Sequence, residues 1–221
     1  MLINQNNYIE IVKQLQKKNV KLVAVSKTKP VEAIKELYDL GHRDFGENYV
    51  QELVEKQQNL PQDIRWHFIG HVQSNKVKYV VPFVHLIHGI DSFRLLKEVN
   101  KQALKNNRTV DVLLQVHIAQ EETKFGLDEN ELAAMLNSNE LTQLQNTQIR
   151  GLMGMASFSN NLQQVKHEFR FLKTLFDQYA LSNILNSKFE ILSMGMSGDY
   201  EIAIKEGSTM VRIGSLLFGE R

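Results

Sequence analysis

No cysteine occurs anywhere in the 221 residues, which excludes disulfides, thiolate nucleophiles and thiolate metal sites. Net charge is almost absent too, with 26 basic residues against 25 acidic ones for a formal balance of +1. Such a chain makes no electrostatic case for nucleic acid or an anionic membrane as partner. No apolar run approaches the roughly 18 residues a membrane span needs. The start, MLINQNNYIEIVKQLQKKN, lacks both the basic opening and the continuous apolar stretch of a signal peptide. A soluble, cytoplasmic protein is the expectation. With only 3 prolines, no linker and no low-complexity stretch, residues 1–221 read as one domain.

What is present is a repeating alternation of short β-rich runs and helical patterns. Strands are expected near Lys21–Lys27, Arg43–Gly46, Arg65–Gly70, Leu86–Asp91, Asp111–Ala119, Gln148–Ala156, Phe189–Met196 and Met210–Ile213. Helical spacing covers Val31–Leu40, Tyr49–Gln58, Ser74–Val81, Ser92–Asn106, Glu129–Leu136, Leu162–Leu181 and Tyr200–Glu206. Before all of these, Tyr8, Ile11, Val12 and Leu15 line one helical face. Several strands are apolar on both faces, as in a parallel sheet covered by helices. Eight such units predict an α/β fold, a single (β/α)8 barrel of the TIM type. The chain ends at Arg221, too soon after the eighth strand for a full outer helix, so the N-terminal helix is expected to substitute for it.

Active sites of such barrels lie at the carboxyl ends of the strands, and three stretches place chemistry there. In KLVAVSKTKP, an apolar run leads into Lys27, which shares a strand face with Val23 and Val25. A lysine so placed is either a solvated strand tip or an amine poised for Schiff-base chemistry. In MVRIG, the flanking Val211 and Ile213 turn Arg212 toward the interior, where a guanidinium needs a partner. The pattern leaves open whether that partner is a barrel carboxylate or a ligand. The third is a pair of small-residue corners, SMGMSGD after strand seven and Gly214-Ser215 after strand eight. Backbone N–H groups at these strand ends commonly hold phosphate in this fold. A phosphorylated carbonyl ligand would suit all three.

Taken together, AVSKTKP, FGENYVQE, WHFIG with QSNK, and SMGMSGDYEIAI through GSTMVRIGSLLFGER resemble the pyridoxal-phosphate homeostasis proteins, single-domain relatives of the alanine racemase N-terminal barrel. The resemblance runs in order from about residue 21 to the C-terminus. It implies that Lys27 holds pyridoxal 5′-phosphate (PLP) as an internal aldimine and that Arg212 faces the pyridine nitrogen. It implies further that Ser197, Gly214 and Ser215 hold the phosphate, while Asn48 and His67 line the pocket. Alanine racemases add a C-terminal β-domain and a catalytic tyrosine supplied across the dimer. No residues remain here for that domain, and of the tyrosines near predicted strand ends, Tyr49 and Tyr200, neither sits in a racemase-like motif. A monomeric cofactor carrier that maintains the intracellular PLP level is therefore expected over an amino-acid racemase, with PLP-dependent apo-enzymes as candidate recipients.

Other lysines and histidines weigh less. Lys29 precedes Pro30, which favours extended backbone and a solvated or phosphate-attracting role. Lys76, at a helix start, and Lys124, in TKFG, could each approach the mouth as a second lysine. His67 and His71 straddle a strand end rather than sharing a helical face, and no recognised zinc spacing appears, so no metal is expected. Trp66 takes the strand face opposite His67 and should pack beneath helices.

Overall fold

A computed structural model describes residues 2–121, 125–182, 184 and 186–220. Eight parallel strands close a barrel in sequence order: β1 (Lys21–Val25), β2 (Asp44–Glu47), β3 (Arg65–Phe68), β4 (Leu86–Ile90), β5 (Val110–Gln115), β6 (Thr147–Met153), β7 (Ser187–Ser193) and β8 (Met210–Ile213). The helices are α1 (Gln5–Gln16), α2 (Val31–Asp39), α3 (Val50–Asn59), α4 (Val77–Val80), α5 (Phe93–Lys105), α6 (Glu129–Leu136), α7 (Leu162–Ala180), α8 (Tyr200–Lys205) and α9 (Ser215–Phe218). The expected architecture is therefore present. Among the described residues no helix is long and apolar enough to cross a membrane.

Strand parity sorts side chains into two cores. Phe45, Trp66, Phe68, Ile87 and Val112 point outward and pack beneath the helices. Val23, Leu86, Leu113, Met153 and Met210 form a separate apolar cluster inside the barrel, each kept from water by strand closure. Closure is completed by β1 pairing with β8, where Val23 lies opposite Arg212. The helix α1 covers that seam through buried Tyr8, Ile11 and Leu15. Its start is tied to α9, since the Asn4 N–H donates to the Leu217 carbonyl at 2.7 Å. The side chain of Asn4 then accepts from the Asn7 N–H, capping the helix.

The strands are shorter at their carboxyl ends than the apolar runs suggest. β1 stops at Val25 rather than Lys27, β5 at Gln115 rather than Ala119, and β6 at Met153 rather than Ala156. Beyond those ends Met155 lines the barrel mouth, whereas Val116, Ile118 and Ala156 pack into the core beneath the helices. The 74–81 helix begins as a 3-10 turn, Ser74–Lys76, before α4.

Candidate functional site

At the carboxyl ends of the strands a cavity of about 620 Å³ opens, within the range that holds small cofactors. Lys27, Asn48, Ser197, Arg212, Gly214 and Ser215 all line it. Six residues from β1, β2, β7 and β8 or the turns after them thus converge on one space. Lys27 lies not on β1 but in the turn just beyond it, half-buried. Val25, two residues earlier, also faces the cavity, so the parity argument holds through the strand end.

His67 is the exception, and the structure corrects its placement. The side chain is completely buried and lies outside the cavity wall, where Ile69 stands instead. Its face was read correctly but its height was not. On a rising strand the cavity is reached two residues later, at Ile69, just as β2 reaches it at Asn48, two residues past Gly46.

His67 belongs instead to a hydrogen-bonded chain that crosses the barrel interior. Asp44, at the foot of β2, is gripped by Arg65 through Nε at 2.9 Å and Nη2 at 2.6 Å. His67 Nε2 meets Asp44 Oδ1 at 3.0 Å, and His67 Nδ1 meets His88 Nε2 at 3.0 Å. His88 Nδ1 lies 3.1 Å from Ser193 Oγ, and Ser193 Oγ accepts from Arg212 Nη1 at 2.7 Å. Burial pushes both imidazoles below their ordinary value, so each carries a single proton. Because the Asp44 carboxylate can only accept, the donors follow in one order. Arg212 donates to Ser193, whose hydroxyl donates to His88; His88 donates to His67, and His67 donates to Asp44. Every buried member is satisfied, which removes the cost that an orphaned polar group would carry there.

Arg212 completes its set with neutral partners, donating also to the Ser193 carbonyl at 2.9 Å and the Gly154 carbonyl at 3.1 Å. Desolvation lowers its guanidinium to about 10, still charged at neutral pH. Of the two partners left open by the sequence, a barrel carboxylate is not what these bonds provide. A buried cation on the cavity wall favours an acceptor or an anion in the cavity.

One stretch of the wall is formed by Ser197, Gly198, Gly214 and Ser215. Ser197 Oγ accepts from the Gly214 N–H at 3.3 Å, and Asp199 Oδ1 accepts from the Met196 N–H at 2.6 Å, fixing the turn after β7. Lys29, also at the cavity wall, spends its ammonium on the carbonyls of Phe218, Gly219 and Glu220 at 3.0 to 3.2 Å. It straps the β1 turn to the chain after α9. Lys76 lies 5.8 Å from the centre of the Tyr79 ring and is not on the cavity wall. Lys124 lies outside the described residues.

Asp44, His67 and His85 bring three metal-capable atoms within 4.8 Å of one another. Arg65 and His67 already occupy the Asp44 carboxylate, and Lys21 stands 4.0 Å away. Added positive charge would be repelled there. Asp44 and His88 escaped the sequence reading, and Ser193, which opens the SMGMSGD corner, is buried between His88 and Arg212 and not on the cavity wall. A histidine in the middle of LIHGI, a strand buried along its whole length, was the one available signal, since a buried polar group must have a partner.

A sequence model of the alanine racemase N-terminal domain matches residues 4–221. A pyridoxal phosphate homeostasis protein from Aquifex aeolicus (strain VF5) is 45% identical over 202 residues, covering 91% of this chain and 87% of that protein. The chain belongs to the pyridoxal phosphate homeostasis protein family. Its backbone agrees with a solved structure of the Synechococcus elongatus PCC7942 protein PipY without PLP, at TM-score 0.89 and 37% identity over 97% of this chain and 99% of that one. A PipY structure with PLP bound matches at TM-score 0.84 and 36% identity over 95% and 99%.

Proposed function

We propose that this protein binds PLP in the cavity at the carboxyl end of its barrel, with Lys27 as a reversible covalent tether, and thereby buffers the free cofactor. The observation that carries this reading is the convergence of Lys27, Arg212 and the Ser197–Gly214–Ser215 corner on one cavity. An amine, a fixed cation and a cradle of small residues match the aldehyde, ring nitrogen and phosphate of that cofactor. The cavity also holds an unmet demand. Among the described residues Asn48 Oδ1 is buried without a hydrogen-bond partner, although Asn48 lines the wall. A polar ligand that donates to it removes a desolvation cost.

Bound PLP supplies a reactive aldehyde and, with its ring nitrogen protonated, an electron sink. Lys27 Nζ would condense with that aldehyde with loss of one water, and hydrolysis would return both partners unchanged. Arg212 cannot supply the proton that strengthens the sink, because it stays charged and only donates a hydrogen bond. This favours holding the cofactor over using it. The racemase alternative needs acid–base groups on both sides of a substrate. Tyr49 and Tyr200, the tyrosines near strand ends, are not on the cavity wall, which favours the carrier.

The test compares the parent with Lys27→Ala after PLP is added and excess removed. A yellow band in the parent, bleached by borohydride with the adduct mapped to Lys27 and absent in the variant, is expected. A colourless parent would overturn the cofactor reading. Turnover of amino-acid enantiomers by the loaded protein would overturn the carrier reading in favour of a racemase.

A further inference from the structure

The turn that carries Lys27 is built against its own preference. The Lys29 N–H donates to the Ser26 carbonyl at 3.0 Å, closing a β-turn in which Lys27 and Thr28 are the central residues. Thr28 has φ +63°. Positive φ at the second central residue is the pattern of a type II turn, whose usual occupant is glycine. A β-branched residue seldom adopts it. Something outside the turn must hold it.

That holder lies behind the strand ends, in the layer between barrel and helices. Lys56 on α3 is buried, and its ammonium donates to the Ser26 carbonyl at 2.7 Å, to Glu47 Oε1 at 2.8 Å and to Glu52 Oε1 at 2.6 Å. Glu47 Oε1 also accepts from the Ser26 hydroxyl at 2.6 Å. Glu52 Oε1 accepts from the Thr28 N–H at 2.6 Å. Lys56 and Glu52 therefore grip the backbone on both sides of Lys27 while Glu47 holds the Ser26 hydroxyl, and none of the three is on the cavity wall. A buried ion cluster is a poor source of net stability, so its presence here calls for another reason.

We infer that Glu52 and Lys56, with Glu47, are positioning residues that force the Ser26–Lys29 turn into the conformation that presents Lys27 to the cavity. The inference rests on the reading of Lys27 as the PLP tether. Glu52 fixes the amide of Thr28, and Lys56 fixes the carbonyl of Ser26 and bridges both carboxylates. Freed from that grip, Thr28 would relax toward negative φ and swing the preceding side chain off the cavity axis.

The experiment follows the rate of yellow-band formation with PLP in the full chain, together with visible circular dichroism of the bound cofactor. Glu52→Ala and Lys56→Met are expected to slow band formation by about tenfold or more, for a strained turn allowed to relax, and to weaken the dichroic signal. Thr28→Gly, which removes the steric objection to positive φ, is expected to restore both in the Glu52→Ala background. That rescue separates positioning from plain structural support. If Lys56→Met does not fold, Glu52→Ala and its rescue carry the test, because the Glu52 side chain is 23% exposed. Unchanged rates in Glu52→Ala, or slow rates that Thr28→Gly fails to restore, would overturn the inference. A parent that forms no borohydride-trapped adduct at Lys27 would instead overturn the underlying cofactor reading.

Discussion

Ser193→Ala removes one oxygen from the middle of the barrel and should cost far more than a serine ordinarily does. The hydroxyl joins Arg212 to His88, accepting from the guanidinium at 2.7 Å and reaching His88 Nδ1 at 3.1 Å. All three side chains are buried. Arg212 keeps the carbonyls of Ser193 and Gly154, so it loses one of three bonds, a charge-assisted one of about 1.5–3 kcal/mol. His88 loses its only Nδ1 partner, and a buried orphaned polar atom costs about 1–3 kcal/mol. The two losses share one atom and do not simply add, giving about 3 kcal/mol for the variant. For a chain of this size that lowers the thermal midpoint by roughly 6–12 °C. Urea titration and thermal melts of ligand-free protein measure it, with exposed Ser182→Ala as a control expected to stay within about 0.5 kcal/mol. A Ser193→Ala loss below about 1 kcal/mol would refute the relay as an energetically coupled unit, showing that its neighbours find other partners.

Two further outcomes follow from the same packing. A Cβ at Gly70 would lie 2.4 Å from the Asn48 carbonyl, backbone that cannot yield, so Gly70→Ala should displace Asn48 and weaken PLP retention at least about tenfold; an unchanged dissociation constant would refute Asn48 as a wall residue whose position matters. Burial holds His42, His67 and His88 below their ordinary value in the folded chain. Below pH about 6.5 the unfolded chain therefore binds more protons than the folded one, and stability falls as pH falls, by up to about 1.4 kcal/mol per pH unit for each histidine that stays neutral. Asp44 is held far below the carboxylate range, so its own contribution survives this window and is lost only in stronger acid. Urea midpoints measured from pH 7 to pH 5 that stay flat would refute the neutral state of these three histidines.

Much of this molecule was legible because one rule, alternation along a strand, governs both its fold and its site. Parity alone turned Arg212 inward between Val211 and Ile213, and it assigned Trp66 to the helix side, where it packs against Phe45. Parity carries no information about height, however. His67 and Ile69 share a face, and only the closed register, with Gly46 beside His67, tells which reaches the cavity. The partners of Arg212 were hidden for a related reason. Ser193 and Gly154 stand 19 and 58 residues away in the chain, and nothing local marks a serine or a carbonyl as the acceptor for a distant guanidinium. Glu52 and Lys56 were the opposite case. Their i, i+4 spacing was visible, but an exposed helical pair is the usual meaning of that spacing, and only the burial of Lys56 at 4% exposure separates the two.

The same device recurs on the far wall of the cavity, which argues that it serves the site and not one turn alone. Glu168 on α7 is buried, and its two carboxylate oxygens accept from the Ser157 N–H at 2.6 Å and the Ser157 hydroxyl at 2.8 Å. Ser157 stands on the cavity wall, as Lys27 does opposite it. In both places a carboxylate reaches up from the helix layer and takes hold of backbone just past a strand end, where the ladder no longer supplies partners. Loops at the mouth of a barrel gain chemical freedom by leaving the sheet, and they lose the hydrogen bonds that fixed them. An acid on a neighbouring helix restores those bonds without entering the cavity, so the wall is rigid while its inner surface stays free to meet a ligand.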